Sequence, residues 1–151
     1  MTLRSTAWGV ARRSGLLALS RRAYGPRLRI LCYHGIEDDP DPCLNHDGLH
    51  VPPHMIRDQL EVIARSYTPV HVADMVEAVA EGRPLAEDAV AVTFDDGYKD
   101  IIDMVVPELH RYGVPATFYV TTGFIDGTFA PWWQQFRAAV RSCRRASLDI
   151  D

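Results

Sequence analysis

Residues 89–94, Ala-Val-Ala-Val-Thr-Phe, constrain the fold of this chain more than any other stretch. They are small, β-branched or aromatic and show no polar alternation, which is typical of a strand buried on both faces of a parallel sheet. Parallel sheets present functional groups at the carboxyl ends of their strands. Because this strand runs directly into Asp95, Asp96 and Gly97, the sequence predicts an α/β fold with a candidate site at that end.

The two adjacent carboxylates can serve one site only under a geometric condition. Successive side chains on a strand point to opposite faces, so Asp95 and Asp96 converge only if the chain leaves strand geometry there. Gly97 permits such a departure. Carboxylates this close repel each other, and a shared proton or a bound divalent cation relieves the repulsion. The alternative is a solvated turn in which Asp-Gly merely ends the strand.

Residues 93–98, Thr-Phe-Asp-Asp-Gly-Tyr, resemble the first motif of the polysaccharide deacetylase family, the NodB-homology domain of carbohydrate esterase family four. Two other stretches agree in order. Residues 30–36, Ile-Leu-Cys-Tyr-His-Gly-Ile, resemble the first strand of those domains, and residues 112–120 contain the recurrent Pro-Ala-Thr-Phe of the strand that follows the motif helix. The resemblance covers residues 28–136.

This resemblance implies a fold and a chemistry. The fold is a partial distorted (β/α) barrel, with about four parallel strands and flanking helices, in a domain over residues 28–151. The reaction is hydrolysis of N-acetyl or O-acetyl groups on a polysaccharide. Asp95 is then the catalytic base, and Asp96 is a ligand of a divalent cation. The chemistry of such sites indicates that this cation is zinc. The partner is then an N-acetylated glycan, for which no substrate-binding residue is assigned.

The family's other metal ligands are two histidines of a downstream His-Ser/Thr-x-x-His motif, whereas His110 is the only histidine here after Gly97. The downstream arginine motif and the general-acid histidine are also missing, so we expect a chain truncated before the metal motif. The alternative function is a noncatalytic half-barrel remnant that acts as an interaction module. An open barrel leaves an unpaired strand edge, which favours self-association. An aspartyl phosphatase is disfavoured because its site requires Asp-x-Asp.

Three upstream histidines are candidate substitutes for the missing ligands. His46 and His50 have a spacing that mimics a metal motif, but Gly48 and Pro52 disfavour the helix that would place both on one face. His34 follows the first strand and is either a hydrogen-bonded structural histidine or a side chain that points into the cleft. A partner chain is the remaining way to complete the site.

Charge divides the chain in two. No acidic residue precedes Glu37, while seven arginines do, so the net charge of −4 leaves −4 − 7 = −11 for the remainder. An acidic body argues against nucleic acid as a partner. Residues 1–27 are expected to contain a basic amphipathic helix, packed on the domain or in contact with an anionic membrane surface. No clear signal peptide or transmembrane pattern is present, so we expect a cytoplasmic or membrane-peripheral bacterial protein.

The remaining patterns predict the order of the elements. Cys32, Cys43 and Cys143 are odd in number and lack C-x-x-C spacing, so we expect no disulfide framework. Trp132 is expected as a core or lid residue, on a helix whose arginines are exposed. Strands are expected at 28–33, 68–71, 89–94 and 116–121, loops at 37–53 and 123–131, and helices at 54–66, 74–81 (capped by Asp74), 99–112 (kinked by Pro107) and 132–145.

Overall fold

A computed structural model of the chain describes residues 28–38 and 49–144. The expected basic helix of residues 1–27 lies outside this part, as do Cys43 and His46. Within the described ranges, no helix combines the length and the apolar character needed to cross a bilayer.

A buried strand is the centre of the sheet. Strand β5 (Ala89–Phe94) is buried at every residue. It pairs in parallel with β1 (Ile30–Tyr33), along its first two residues with β4 (Thr68–Pro69), and along its last three with β6 (Ala116–Phe118). The predicted α/β class with four parallel strands is therefore confirmed, although β4 and β6 are shorter than expected.

The two faces of β5 bury different partners. Val90, Val92 and Phe94 lie in the main core, against helix α1 (Pro53–Ser66) and the helix after the motif. Ala89 and Ala91, which alternate with them, pack against Met75 of helix α2 (Val72–Ala80). Helix α1 presents an apolar stripe at helical spacing, Ile56, Leu60 and Ile63, to the core. The alternation of a strand thus separates a large core from a smaller one.

Two sequence predictions in this half are wrong. The expected loop over residues 37–53 contains strand β3 (His50–Val51), which pairs in parallel with β2 (Gly35–Ile36). Two residues are too few for a periodic signal, and their pairing depends on contacts outside the segment. Asp74 is not the cap of α2: the helix begins earlier, with His71 at the N-cap position, and Asp74 lies in its first turn.

The helix after the motif is irregular where it approaches Pro107. Helical backbone begins at Lys99, continues through a π-helical turn (Ile101–Val105) and ends as α3 (Val106–Tyr112). The Val106 N–H donates to the Ile101 carbonyl, five residues back. Because Pro107 has no N–H, the predicted kink takes the form of this π-bulge. Gly113, with φ 63°, ends the helix in the left-handed conformation.

The last helix faces the protein with a different side than expected. A short helix, α4 (Thr122–Ile125), lies within the expected loop, and α5 (Trp132–Ser142) follows. Trp132 and Phe136 are 65% and 60% exposed, so Trp132 is not a core residue. Arg137, expected in water, pairs instead with Glu37. The side of α5 that carries Arg137 therefore faces Glu37.

Neighbouring positions on α1 provide a test of the core. Leu60 is 1% exposed and Val62 is 46% exposed. We expect Leu60→Ala to lower the free energy of unfolding by about 2–5 kcal/mol, because it removes buried apolar contacts and leaves a cavity. Val62→Ala should change it by less than about 0.5 kcal/mol. Urea denaturation followed by circular dichroism measures both. A loss below about 1 kcal/mol for Leu60→Ala would contradict the described core.

Candidate active site

The carboxyl end of β5 is fixed by hydrogen bonds to both neighbouring strands. The Asp95 N–H donates to the Tyr33 carbonyl at 2.9 Å, and the Phe94 carbonyl accepts from the Tyr119 N–H at 2.8 Å. Asp95 is therefore still tied to β1 when the chain leaves the sheet. Both Asp95 and Asp96 are half-buried.

The backbone departs from strand geometry at the position that convergence of the two carboxylates requires. Asp96 has φ 70° and Gly97 has φ 76°, so two consecutive residues are left-handed. A Cβ at Gly97 would lie 2.8 Å from Cγ1 of Val120, so a side chain there is excluded by space as well as by backbone strain. The departure that the sequence analysis predicted is present in the structure.

Both carboxylates affect the pKa of the Cys32 thiol. Cys32 on β1 is in register with Thr93 on β5. Partial burial raises the pKa of the Cys32 thiol, the Thr93 hydroxyl opposes this, and Asp95 and Asp96 raise the pKa further through a hydrogen bond and their negative charges. The negative charges of Asp95 and Asp96 thus disfavour the thiolate form of Cys32.

Potential metal ligands converge at this edge. One atom each from Cys32, His34 and Asp95 lie within 4.8 Å of one another. Two roles were considered for His34. In the structure its side chain lies beside the Asp95 carboxylate. Asp96, the metal ligand implied by the resemblance, is not a member of this group. A sulfur, an imidazole nitrogen and a carboxylate oxygen are a donor set that fits zinc.

A second polar cluster lies beside the carboxylates and was not predicted. His50 is not placed with the potential metal ligands: its Nδ1 lies 3.6 Å from a Glu37 carboxylate oxygen, and its ring packs edge-on against Tyr98. Arg137 lies within 3.2 Å of Glu37 and 3.4 Å of His50 Nε2. These side chains border a hollow of about 320 Å³. The indole N–H of Trp133 donates to the Tyr98 hydroxyl at 3.0 Å.

Two backbone features hold this cluster next to the site. A Cβ at Gly35 would meet the His50 ring at 2.7 Å, so the ring packs directly on glycine backbone. The Asp100 carboxylate accepts from the Ile36 N–H at 2.6 Å. The sequence contains part of the information needed to predict this cluster. A glycine follows His34, and Asp100 follows the carboxylate pair by four residues. Their partners are too distant along the chain for a local pattern to identify.

Comparison with known proteins agrees with this fold. A family model described as polysaccharide deacetylase matches residues 82–146. This range includes the carboxylate pair, the helix after it and strand β6. Over this part of its length, the chain is similar to polysaccharide deacetylases.

Particular relatives can be named. The chain is 30% identical, over 128 residues, to poly-β-1,6-N-acetyl-D-glucosamine N-deacetylase of Escherichia coli (strain K12), an alignment of 74% of this chain and 19% of that protein. The deacetylase PplD of Streptococcus pyogenes, solved in complex with acetate, has a TM-score of 0.60 at 24% identity and covers 76% of this chain and 53% of its own. A de-N-acetylase from Aggregatibacter actinomycetemcomitans has a TM-score of 0.55 at 22% identity, over 78% and 52%.

These comparisons establish different things. The two solved structures, at such low identity, establish the fold alone. The chain spans about half of each of them and 19% of the curated relative. The predicted resemblance and the predicted fold class are confirmed.

The turn at Gly97 can be tested against a matched glycine. Gly82 has a similar φ of 66°, and a Cβ there would meet nothing within 4 Å. We expect Gly82→Ala to cost about 1–2 kcal/mol from left-handed strain alone, and Gly97→Ala to cost more because of Val120. Adding Val120→Ala should recover the difference. Urea denaturation measures all three variants, and equal losses at the two glycines would contradict the described contact.

Proposed function

We propose that this chain takes part in the metal-dependent hydrolysis of N-acetyl groups on a polysaccharide. The observation that supports the proposal most directly is the carboxylate pair at the end of β5, where the left-handed backbone at Asp96 and Gly97 turns the chain out of the sheet. The matched family and the name of the Escherichia coli relative point to the same bond class. A β-1,6-linked N-acetylglucosamine polymer is therefore the first substrate to test, and O-acetyl groups are the second.

Each carboxylate has a proposed role. Asp95, tied to β1 through its backbone N–H, removes a proton from the attacking water. Asp96, redirected by its left-handed backbone, attracts and binds the cation. A divalent cation, when bound, would polarise the acetamide carbonyl and acidify the attacking water. The Asp95 carboxylate would accept that proton as the general base.

Loss of either carboxylate should abolish deacetylation. Asp95→Asn removes the base, and we expect turnover to fall by about 10²–10⁴-fold. Asp96→Asn should abolish turnover and also reduce uptake of the cation. Free amines released from the polymer measure turnover, and bound metal is measured by elemental analysis after gel filtration.

Asp58 provides the control for these variants. It is an exposed aspartate on α1, so Asp58→Asn should leave both turnover and metal content unchanged. Treatment with a chelator should abolish turnover, and added zinc should restore it. Wild-type turnover in either site variant would refute the role of that carboxylate.

A second candidate function, an interaction module, rests on a different observation. Within the described ranges, β1 and β6 each pair only with β5. Apolar side chains on both are exposed, including Ile30 at 48% and Phe118 at 39%. Exposed apolar strands at a sheet edge favour pairing with another chain. The proposed partner is a second copy of this chain.

Light scattering after size-exclusion chromatography tests this second function. If the edge mediates association, the wild-type chain should elute as a dimer, and Ile30→Lys should convert it to a monomer by placing a charge in the interface. Val76→Lys, at a residue that is 62% exposed on α2, is the control and should not change the mass. A wild-type monomer at all concentrations would exclude association through this edge.

A further inference from the structure

We infer that Tyr98 and Trp133 are positioning residues, whose hydrogen bond holds the turn that carries the two carboxylates. The indole N–H of Trp133 donates to the Tyr98 hydroxyl at 3.0 Å, and Tyr98 directly follows Gly97 of that turn. Neither residue has a part in the proposed mechanism. The catalytic consequence of the inference rests on the proposed function, but the hold on the turn can be measured without turnover.

The turn requires support because its backbone is strained. Asp96 has φ 70°, and only glycine adopts the left-handed conformation without strain. A strained residue persists only where the surrounding structure holds it firmly. Upstream, the hydrogen bond from the Asp95 N–H to the Tyr33 carbonyl supplies such a hold, at 2.9 Å. The downstream side needs an equivalent contact.

Tyr98 makes contacts on the downstream side. It is half-buried and packs against the main core. Its ring lies edge-on to the ring of His50, with centroids 5.3 Å apart, and its hydroxyl meets Trp133. The side chain is therefore held between β3 and α5. Because only Gly97 separates Tyr98 from Asp96, a displacement of the turn would break these contacts.

The direction of the hydrogen bond follows from the chemistry of the two side chains. An indole N–H can only donate, so the Tyr98 oxygen accepts. Replacement of either residue by phenylalanine therefore removes the bond and keeps an aromatic ring in its place. Trp133 and Tyr98 are both half-buried, and partial exclusion of water strengthens the bond relative to one at the surface.

A second contact fixes the helix that carries the donor. Trp133, Arg137 and Arg141 recur every four residues and so share one face of α5. The two guanidinium groups lie 3.2 and 3.3 Å from different oxygens of Glu37. Arg137 also lies 3.4 Å from His50 Nε2. The hydrogen-bond donor is therefore held in place by contacts that do not involve the turn.

Loss of the hydrogen bond should affect the chemical step more than binding of the polymer. A misplacement of about 1 Å in a reacting group can cost about 10²-fold in rate. Because the bond is one of several contacts, we expect Trp133→Phe and Tyr98→Phe each to lower kcat about three- to tenfold and to change KM by less than about twofold. The double variant should lose no more than either single variant, since both remove the same bond.

Hydrogen exchange followed by nuclear magnetic resonance measures the turn in the absence of turnover. In both Trp133→Phe and Tyr98→Phe, the amides of residues 95–97 should exchange with solvent at least about threefold faster than in the wild type, because the turn opens more often. The amide of Val92, in the buried strand β5, is the internal reference. Its rate should not change, which separates local opening from a loss of global stability.

Two matched controls make the same replacements outside the pair. Trp132 is 65% exposed, and Tyr112 is a half-buried tyrosine that packs against the main core at the end of α3. Trp132→Phe and Tyr112→Phe should leave kcat and the exchange at residues 95–97 unchanged. Circular dichroism gives the folded fraction of each variant, and kcat is calculated per folded molecule.

Failure of the inference can be distinguished from failure of the proposed function. Wild-type exchange at the turn in Trp133→Phe would overturn the inference, whatever Asp95→Asn does to turnover. Faster exchange with an unchanged kcat would show a structural contact alone and would overturn the positioning role. If the wild-type chain releases no amine, the proposed function fails, and the exchange rates still decide whether this hydrogen bond holds the turn.

Discussion

The left-handed backbone at Asp96 and Gly97 determines which groups meet at the edge of the sheet. In a regular strand, Asp96 would follow Val92 and Phe94 onto the helix-covered face, which is the main core. A carboxylate buried there without a partner would cost several kcal/mol. A residue in the left-handed conformation costs about 1–2 kcal/mol. This is less than the cost of burying the carboxylate, so the turn is the more stable arrangement. It also brings Asp96 within electrostatic range of Cys32.

Sequence patterns within a few residues predicted those parts of the fold that depend on interactions between residues close together in the chain. The apolar run of β5, the stripe Ile56, Leu60 and Ile63 on α1, and the left-handed stop at Gly113 are all encoded within a few residues. The orientation of α5 is not. Arg137 pairs with Glu37, 100 residues away, and no periodicity in the helix itself contains that information.

The candidate site shows the same division. Asp95 and Asp96 could be predicted as a pair because they follow one strand and are adjacent in sequence. Their association with Cys32 could not, because it depends on the register between β1 and β5, which is a tertiary property. The sequence analysis treated Cys32 only as a thiol outside any disulfide framework. The structure instead places it with His34 and one of the carboxylates.

The central claim is that Asp95 and Asp96 converge at the carboxyl end of β5, where the left-handed backbone at Asp96 and Gly97 turns the chain out of the sheet. A crystal structure of the chain grown with zinc, with anomalous data collected on both sides of the zinc absorption edge, tests this most directly. The account predicts one strong anomalous peak at this edge of the sheet, within about 2.0–2.2 Å of an Asp96 carboxylate oxygen, with the Asp95 carboxylate on the same side. A peak elsewhere, or carboxylates on opposite faces of the sheet, would contradict it.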